Sequence, residues 1–460
     1  MSDPTPAPLL RDYCMLFAHP TQERVLLLPG AEGWGLPCLR TEENNLFGGS
    51  LIRAAMAAQL GADITVLHTV EVYIDPETQR WRWALIAVEN HDPAWAPPDG
   101  ARWVEAAALA DLPLARPEQR GALLAWLAGR TQGAIPAPRA PWARPGWLDE
   151  ITAWTAAELA RYGRTLDGPL EQVKTWAISC LLRAPGSGGM IYVKASPVLP
   201  LFTNESAITA RLAEHYPRVV PRPLAFDAAR RWMLLDDFGG ALLKDAPHAA
   251  WDDTIRAFAA MQRESVDQID GLLAAGCLDR RLDRLAAAVP ALLAALDEPN
   301  GLEPGEVAAL RAAEPRLVAL CAELASYRVP PALLHGDLHE NNIAIAATGP
   351  LIFDWSDACI AHPFLDLVTL IDPEDAPPAP EERARRLDLY LSYWTGYEPP
   401  ERLRSVAALA EQVGLLHQTL SYEQIMAGVE PGARWQYSWG FRYFARRLLA
   451  ALADPTPAAP

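Results

Sequence analysis

The sequence predicts an α+β chain in which a small α/β domain precedes a strand-rich half and a larger helical half. Three observations predict it. Short alternating or fully apolar runs characterise the first 240 or so residues, while Leu/Ala segments of helical period dominate from about residue 250 onward. Between Gly133 and Trp147, prolines at 136, 138, 141 and 145 exclude both helix and central strand. The expected division is therefore 1–132 as the first domain and 133–147 as an extended linker. Residues 148–460 form the second domain, with lobes at about 148–240 and 241–460.

Each element follows from local pattern. Tyr13 to Ala18 and Arg24 to Leu28 are expected strands around the turn His19-Pro20-Thr21-Gln22. Leu51 to Leu60 is an Ala-rich helix stopped at Gly61. Ile64 to Tyr73 and Trp81 to Val88 are strands around Asp75-Pro76-Glu77-Thr78. Beyond the linker, Ile151 to Tyr162 is helical. Trp176 to Leu182 and Met190 to Lys194 are strands, with Pro185-Gly186-Ser187-Gly188-Gly189 as a hairpin turn. Ser206 to His215 is a helix and Trp232 to Leu235 a short strand. Further helices are expected around 254–262, 281–296, 305–327, 383–395, 403–426 and 438–453, interrupted near 333–354 by short strand-like pieces.

Composition narrows the function classes. Half of the 460 residues are apolar and 21% are charged, which excludes a disordered chain. A formal charge of −17 and a pI near 5.0 argue against nucleic-acid partners and an anionic membrane surface, and are compatible with a cationic small molecule. No run of about 18 apolar residues occurs, and the amino end lacks a signal-peptide pattern. Six dispersed cysteines without a Cys-x-x-Cys pair read as reduced core residues in a cytoplasmic protein, with no zinc site.

The chemistry concentrates in Leu333-Leu334-His335-Gly336-Asp337-Leu338-His339-Glu340-Asn341-Asn342, a polar loop between apolar runs, followed by Ile352-Phe353-Asp354-Trp355. Asp337 and Asn342 stand five residues apart, and Asp354 ends an apolar strand twelve residues later. Mg²⁺ takes hard oxygen ligands, so Asn342 and Asp354 suit it and leave Asp337 free to accept a hydroxyl proton.

This pattern resembles the aminoglycoside phosphotransferase and choline kinase-like family, relatives of the protein kinases. His362-Pro363-Phe364-Leu365-Asp366-Leu367 is similar to the family's next segment, with Asp366 structural or near the acceptor. The resemblance implies a bilobal, protein-kinase-like phosphotransferase with a large helical C-lobe, ATP as phosphoryl donor and Mg²⁺ as cofactor. It makes Asp337 the base, with His335 and His339 in the same catalytic loop. His339 stands where protein kinases carry lysine. Lys194 is then the expected phosphate-neutralising lysine, with Glu205 as its partner and Glu214 as fallback. Thr175 and Ser179 fall where the family places its phosphate-covering flap, and no Gly-x-Gly-x-x-Gly run occurs there. Asp237, in Leu235-Asp236-Asp237-Phe238-Gly239, lies in the expected inter-lobe hinge.

The implied acceptor is a small-molecule hydroxyl on an amino sugar, amino alcohol or sugar-like compound. Aromatic residues including Tyr390, Trp394, Tyr422, Tyr437, Trp439 and Phe441, with Asp357, Asp366, Asp372, Glu374, Asp375 and Glu423, suit a cationic acceptor. The helical spacing of residues 435–444 favours core packing for these aromatics over a ligand site. Residues 1–132 more faintly resemble the Nudix fold, through Trp34-Gly35-Leu36-Pro37, the helix at 51–61 and Ala101-Arg102-Trp103-Val104. Where that family's helix carries metal-binding glutamates, Ala54, Ala57, Ala58 and Gln59 stand, leaving only Glu42 and Glu43 nearby. The expectation is a non-catalytic module, with an unrelated small α/β domain as the alternative. For the whole chain the alternative function is a pseudokinase-type regulatory protein that binds nucleotide without transfer.

Overall fold

The computed structural model describes residues 10–42, 48–75, 81–131, 138–296, 301–371 and 378–453. Packing groups the chain into two units, Met1–Pro197 with Val429–Ala433, and Val198–Gly428 with Arg434–Pro460. Glu43, Asp372, Glu374, Asp375 and most of the turn 75–78 lie outside the described residues.

The first unit runs β1 (Arg11–Phe17), β2 (Arg24–Gly30), β3 (Gly33–Gly35), β4 (Cys38–Thr41), α1 (Gly49–Leu60), β5 (Ile64–Ile74), β6 (Trp81–Asn90), β7 (Arg102–Glu105), α2 (Ala106–Asp111), α3 (Arg120–Thr131), α4 (Trp147–Arg161), β8 (Glu171–Trp176), β9 (Ser179–Gly186) and β10 (Gly189–Ala195). β1 and β6 pair in parallel at the centre of a four-stranded sheet, flanked by β4 and β5. Their continuous apolar runs, Tyr13 to Phe17 and Trp83 to Val88, are buried, as a doubly covered parallel pair requires. β3, β2 and β7 make a second, antiparallel sheet. Its Val25, Leu27 and Val104 share a core with Cys14, Leu16, Leu85, Leu123 and Leu127. Gln172 of β8 is buried and closes both hydrogen bonds of the Val66 peptide group, each at 2.8 Å.

Three expectations for this unit are corrected. Cys14 and Cys38 are joined in a disulfide rather than reduced, because β1 and β4 pair them directly opposite one another. The other four cysteines are free and buried. Trp176 to Leu182 is a hairpin rather than one strand, since Trp176 pairs with Ser179 around a turn at 177–178. The α3 helix, unforeseen in the sequence, supplies core residues from an amphipathic pattern interrupted by Gly121 and Gly129. The Pro185–Gly189 segment is a hairpin turn, with Gly186 paired to Gly189.

The second unit runs α5 (Glu205–His215), β11 (Ala225–Asp227), β12 (Trp232–Asp236), β13 (Ala241–Leu242), α6 (His248–Ser265), α7 (Ile269–Ala274), β14 (Leu278–Asp279), α8 (Leu282–Ala295), α9 (Pro304–Ala312), α10 (Glu314–Ala325), β15 (Ala332–Leu334), β16 (Ile343–Ala346), β17 (Gly349–Ile352), β18 (Cys359–Ala361), α11 (Leu367–Leu370), α12 (Pro380–Leu391), α13 (Pro400–Gly428) and α14 (Trp435–Ala453). The expected helix over 305–327 is two helices, because Pro315 cannot donate in the middle of a helix and starts a new one. α13, 29 residues long, is buried along much of its length. A Cβ at Gly440 of α14 would overlap the ring of Tyr422 of α13, so glycine sets that close approach. The α+β class expected from the sequence is the one observed, with helices dominating after residue 248.

The second unit also buries neutral histidine. His362 Nδ1 accepts from the Phe364 amide at 3.3 Å, and burial pushes its pKa down to about 3. An unfolded imidazole takes its proton near pH 6.5, and the folded one does not until far lower. His362 therefore stabilises the fold above pH 6.5, and the contribution is lost as pH falls toward 3. Against His362→Asn, which retains an acceptor, urea denaturation should show wild type losing about 2 kcal/mol of relative stability between pH 7.5 and 5.

Candidate active site

β15 is fully buried and pairs antiparallel with β18, which pairs in parallel with β14. This small sheet delivers the chain into the loop 335–342. Two consecutive amides there, of His335 and Gly336, donate to the two oxygens of Asp366 at 2.9 Å each. Asp366 is buried and also accepts from Gln262 Nε2 at 3.2 Å. Burial pushes its carboxyl up to about 7, and the two amides work against that. Gly336 has φ +88°, and a Cβ there would strike the backbone of Asp357, so no other residue fits.

His335 is buried with both ring nitrogens engaged. Nε2 lies 2.9 Å from Phe353 O and donates to it, while Nδ1 accepts from the Asp337 amide at 3.3 Å. Burial pushes its pKa down to about 4, so the ring is neutral and ties the loop to the end of β17.

β16 and β17 form a hairpin with Ile343 opposite Ile352, which sets Asn342 and Phe353 side by side. The Phe353 amide donates to Asn342 O at 3.0 Å. Asn342 Nδ2 donates to Asp337 O at 2.9 Å, which assigns the side-chain oxygen as the end available to a cation. Asp354 follows with φ +68°, a left-handed turn that aspartate tolerates better than most residues. Its Oδ1 accepts from Ser356 Oγ at 3.2 Å, and the same hydroxyl lies 2.9 Å from Asp357 Oδ2.

Asp337 remains accessible, with 42% of its side chain exposed. His339 Nδ1 accepts from the Asn341 amide at 3.3 Å, and its Nε2 lies 3.6 Å from Asp337 Oδ2 and 3.2 Å from Asn342 Nδ2. Burial raises the Asp337 carboxyl, and the facing His339 outweighs it and takes the carboxyl below its ordinary range. Asp357 is pushed well above the usual carboxylate range by burial and by the charges of Asp337 and Asp354.

The loop and hairpin thus bring together His335, Asp337, His339, Asn342 and Asp354. The other expected residues stand on separate elements. In the first unit, Lys194 lies on β10 on the face opposite Ile191 and Val193, Thr175 is buried opposite Cys180, and Ser179 opens β9. In the second, Glu205 is buried at the first position of α5. Asp237 is exposed beyond β12, where its Oδ1 accepts from the Gly239 amide at 2.8 Å. Tyr390, Trp394, Tyr437 and Phe441 are core, as helical spacing allowed. Gln262 and Gln418 escaped the sequence reading. Gln262 donates to Leu333 O at 3.0 Å, and Gln418 of α13 donates to Gly336 O at 2.7 Å. No local motif marks either. Among the described residues no group of three or more His, Cys, Asp or Glu is arranged to hold a metal unaided, and no helix is long and apolar enough to cross a membrane.

Residues 190–403 match the model of the phosphotransferase enzyme family, and the loop and hairpin lie inside that segment. No curated protein matches the sequence. Among solved structures, the chain is similar to a choline/ethanolamine kinase family protein from Mesorhizobium loti (19% identity, 67% of this chain and 95% of that one, TM-score 0.48). It is also similar to macrolide 2'-phosphotransferase MphH from Brachybacterium faecium (17% identity, 68% and 100%, TM-score 0.43). A third is APH(2")-IIIa in complex with GDP and kanamycin (15%, 66% and 100%, TM-score 0.46).

Removing the Asp366 carboxylate would leave two buried amides unpaired. Asp366→Ala should cost about 2–5 kcal/mol in urea denaturation, and Asp366→Asn, which keeps an acceptor, distinctly less.

Proposed function

We propose that the chain transfers the γ-phosphoryl group of ATP to a hydroxyl of a small molecule. One observation carries this reading. The Asn342 amide nitrogen is tied to the backbone of Asp337, so the accessible carboxylate and the oxygen donors at the hairpin's end are locked into one unit. Phosphoryl transfer needs such positioning more than covalent chemistry.

Asp337 orients the acceptor hydroxyl and takes its proton on a carboxylate oxygen. The acceptor oxygen then bonds to the γ-phosphorus, the bond from that phosphorus to the β–γ bridging oxygen breaks, and ADP leaves. His335, neutral and doubly engaged, positions the Asp337 amide, and His339 holds the Asp337 carboxylate ionised. Asn342 oxygen and the Asp354 carboxylate fit Mg²⁺, a hard cation that keeps most of its ligand sphere for water and phosphate oxygens. When bound, Mg²⁺ offsets the charge on the nucleotide phosphates. We assign Lys194, oriented by Glu205, to those phosphates, Thr175 and Ser179 to the flap over them, and Asp237 to the hinge. The acceptor class of amino sugars, amino alcohols or sugar-like alcohols follows from the family resemblance.

We read residues 1–132 as a degenerate Nudix-like module joined through 133–147 to the transferase domain at 148–460. Ala54, Ala57, Ala58 and Gln59 are exposed on α1, a helix without a carboxylate, which supports a non-hydrolytic role. Hydrolysis of a nucleoside diphosphate derivative that survives Asp354→Ala would overturn that part.

Asp337→Ala should lower acceptor-dependent ATP turnover roughly a thousandfold, with thermal unfolding little changed. Asp354→Ala should be comparably impaired, and chelation should silence wild type until Mg²⁺ is restored. Wild-type turnover by either variant would sink the assignment.

A further inference from the structure

Arg280 follows β14, and its backbone amide donates to Ile360 O at 2.9 Å. Its half-buried guanidinium turns to α13. Nη1 donates to Ser421 Oγ at 2.7 Å and lies 3.4 Å from His417 Nε2, and Nη2 donates to Gln424 Oε1 at 2.5 Å. Positions 417, 421 and 424 lie about one turn apart on one helix face, so three side chains of α13 grip one cation. None of the three offsets its charge, since burial keeps His417 neutral with a pKa pushed down to about 3. Nor is Arg280 within ion-pair distance of any carboxylate among the described residues.

A partly desolvated guanidinium held rigidly by neutral groups is costly, and a purely structural arginine would instead pair with a nearby acid. Such an acid is at hand. Asp357, which packs on Gly336, feels the Arg280 charge. Gln418, next to His417 on α13, anchors Gly336 O beside Asp337. One helix therefore holds both the catalytic loop and the guanidinium. Two of the five N–H donors remain, Nε–H and the second Nη2–H, a pair able to meet both oxygens of one oxyanion.

We propose that Arg280 clamps an oxyanion, carboxylate or phosphate, on the phosphoryl acceptor, so that the acceptor is a hydroxylated anion rather than a simple cation. The proposal rests on the phosphotransferase reading and narrows its acceptor classes to sugar-like alcohols that carry an oxyanion. Arg280 is a specificity residue that touches the acceptor away from the reacting hydroxyl.

The test uses the full chain with ATP and Mg²⁺ and two acceptor series: glycerol, glycerate and glycerol phosphate, then ribose, ribonate and ribose 5-phosphate. ADP formation should favour an anionic member over its neutral parent by about 100-fold in kcat/KM, and the carboxylate and phosphate arms identify which oxyanion is meant. Arg280→Gln should raise KM for that acceptor about 100-fold with kcat within a few-fold, and Arg280→Lys should fall between. Equal use of neutral or amine-only acceptors overturns the clamp, as does a uniform loss of kcat in Arg280→Gln that melts like wild type. If that variant does not fold, Arg280→Lys carries the same KM comparison. Calorimetric binding of the same compounds separates the two claims. Oxyanion binding that depends on Arg280, without ATP consumption, overturns the phosphotransferase reading alone. No oxyanion preference in either binding or turnover overturns the clamp.

Discussion

A buried carboxylate gripping two successive amides is the constraint on which the second unit's site depends. Asp366 cannot accept from both His335 and Gly336 unless the chain turns sharply between them, and that turn needs the left-handed φ of Gly336. Charge-assisted bonds of this kind contribute about 1.5–3 kcal/mol each, enough to hold an otherwise strained loop. Asp366 is itself positioned. Gln262 reaches it and Leu333 O, and Tyr390 hydrogen-bonds Gln262 Oε1 and Pro363 O. α6 and α12 therefore register the loop from one side, while Gln418 of α13 does so through Gly336 O. The polar network is buried, and each of these atoms has a partner, which is the condition under which such a network fixes a single geometry.

That rigidity matters because the loop gathers like charges. Burial, joined by the charges of Asp337 and Asp354, drives the Asp357 carboxyl upward, and Asp354 sits in a left-handed backbone turn. A free loop would relax away from both costs. Here the Asp366 grip, the neutral His335 bridge to Phe353 O and the β16–β17 hairpin prevent it. Strain and repulsion retained at one place are the signature of a site whose charge is meant to be met by a ligand, and a divalent cation with nucleotide phosphates meets it in the proposed reaction.

What could be read from the sequence divides by contact distance. The loop and the Asp354 strand were legible because Asp337, Asn342 and Asp354 sit within one short stretch whose apolar flanks mark its strands. Gly61 was legible as a helix stop, and it is left-handed with φ +63°. The hairpin at 177–178 was hidden because Ala177 and Ile178 look like strand residues and carry no turn chemistry. The break before Glu314 was hidden because the apolar period continues across it, although Pro315 marked the place. Cys14 and Cys38 became partners only through strand register, which no residue count supplies. Gln262 and Gln418 act across 71 and 82 residues and belong to helices whose apolar pattern is indifferent to them.

Net charge illustrates the same limit. A chain of −17 invites the thought of a cationic acceptor, and the acidic residues around the loop encourage it. Yet a formal total is an average over a surface, and screening confines each charge to a neighbourhood of about 10 Å. Asp354 acts on Asp337, and Asp357 feels both of them together with one guanidinium held by neutral partners 137, 141 and 144 residues away in sequence. The carboxylates suit a cation bound with the nucleotide. The guanidinium, supplied with no acid of its own, suits an anion on the acceptor. Opposite signs can be held near one another because each is fixed by its own scaffold, the hairpin for one and α13 for the other. The acidity of the whole chain is then an average, while in the proposed reaction the sign of the acceptor is set by a guanidinium that no carboxylate among the described residues neutralises directly.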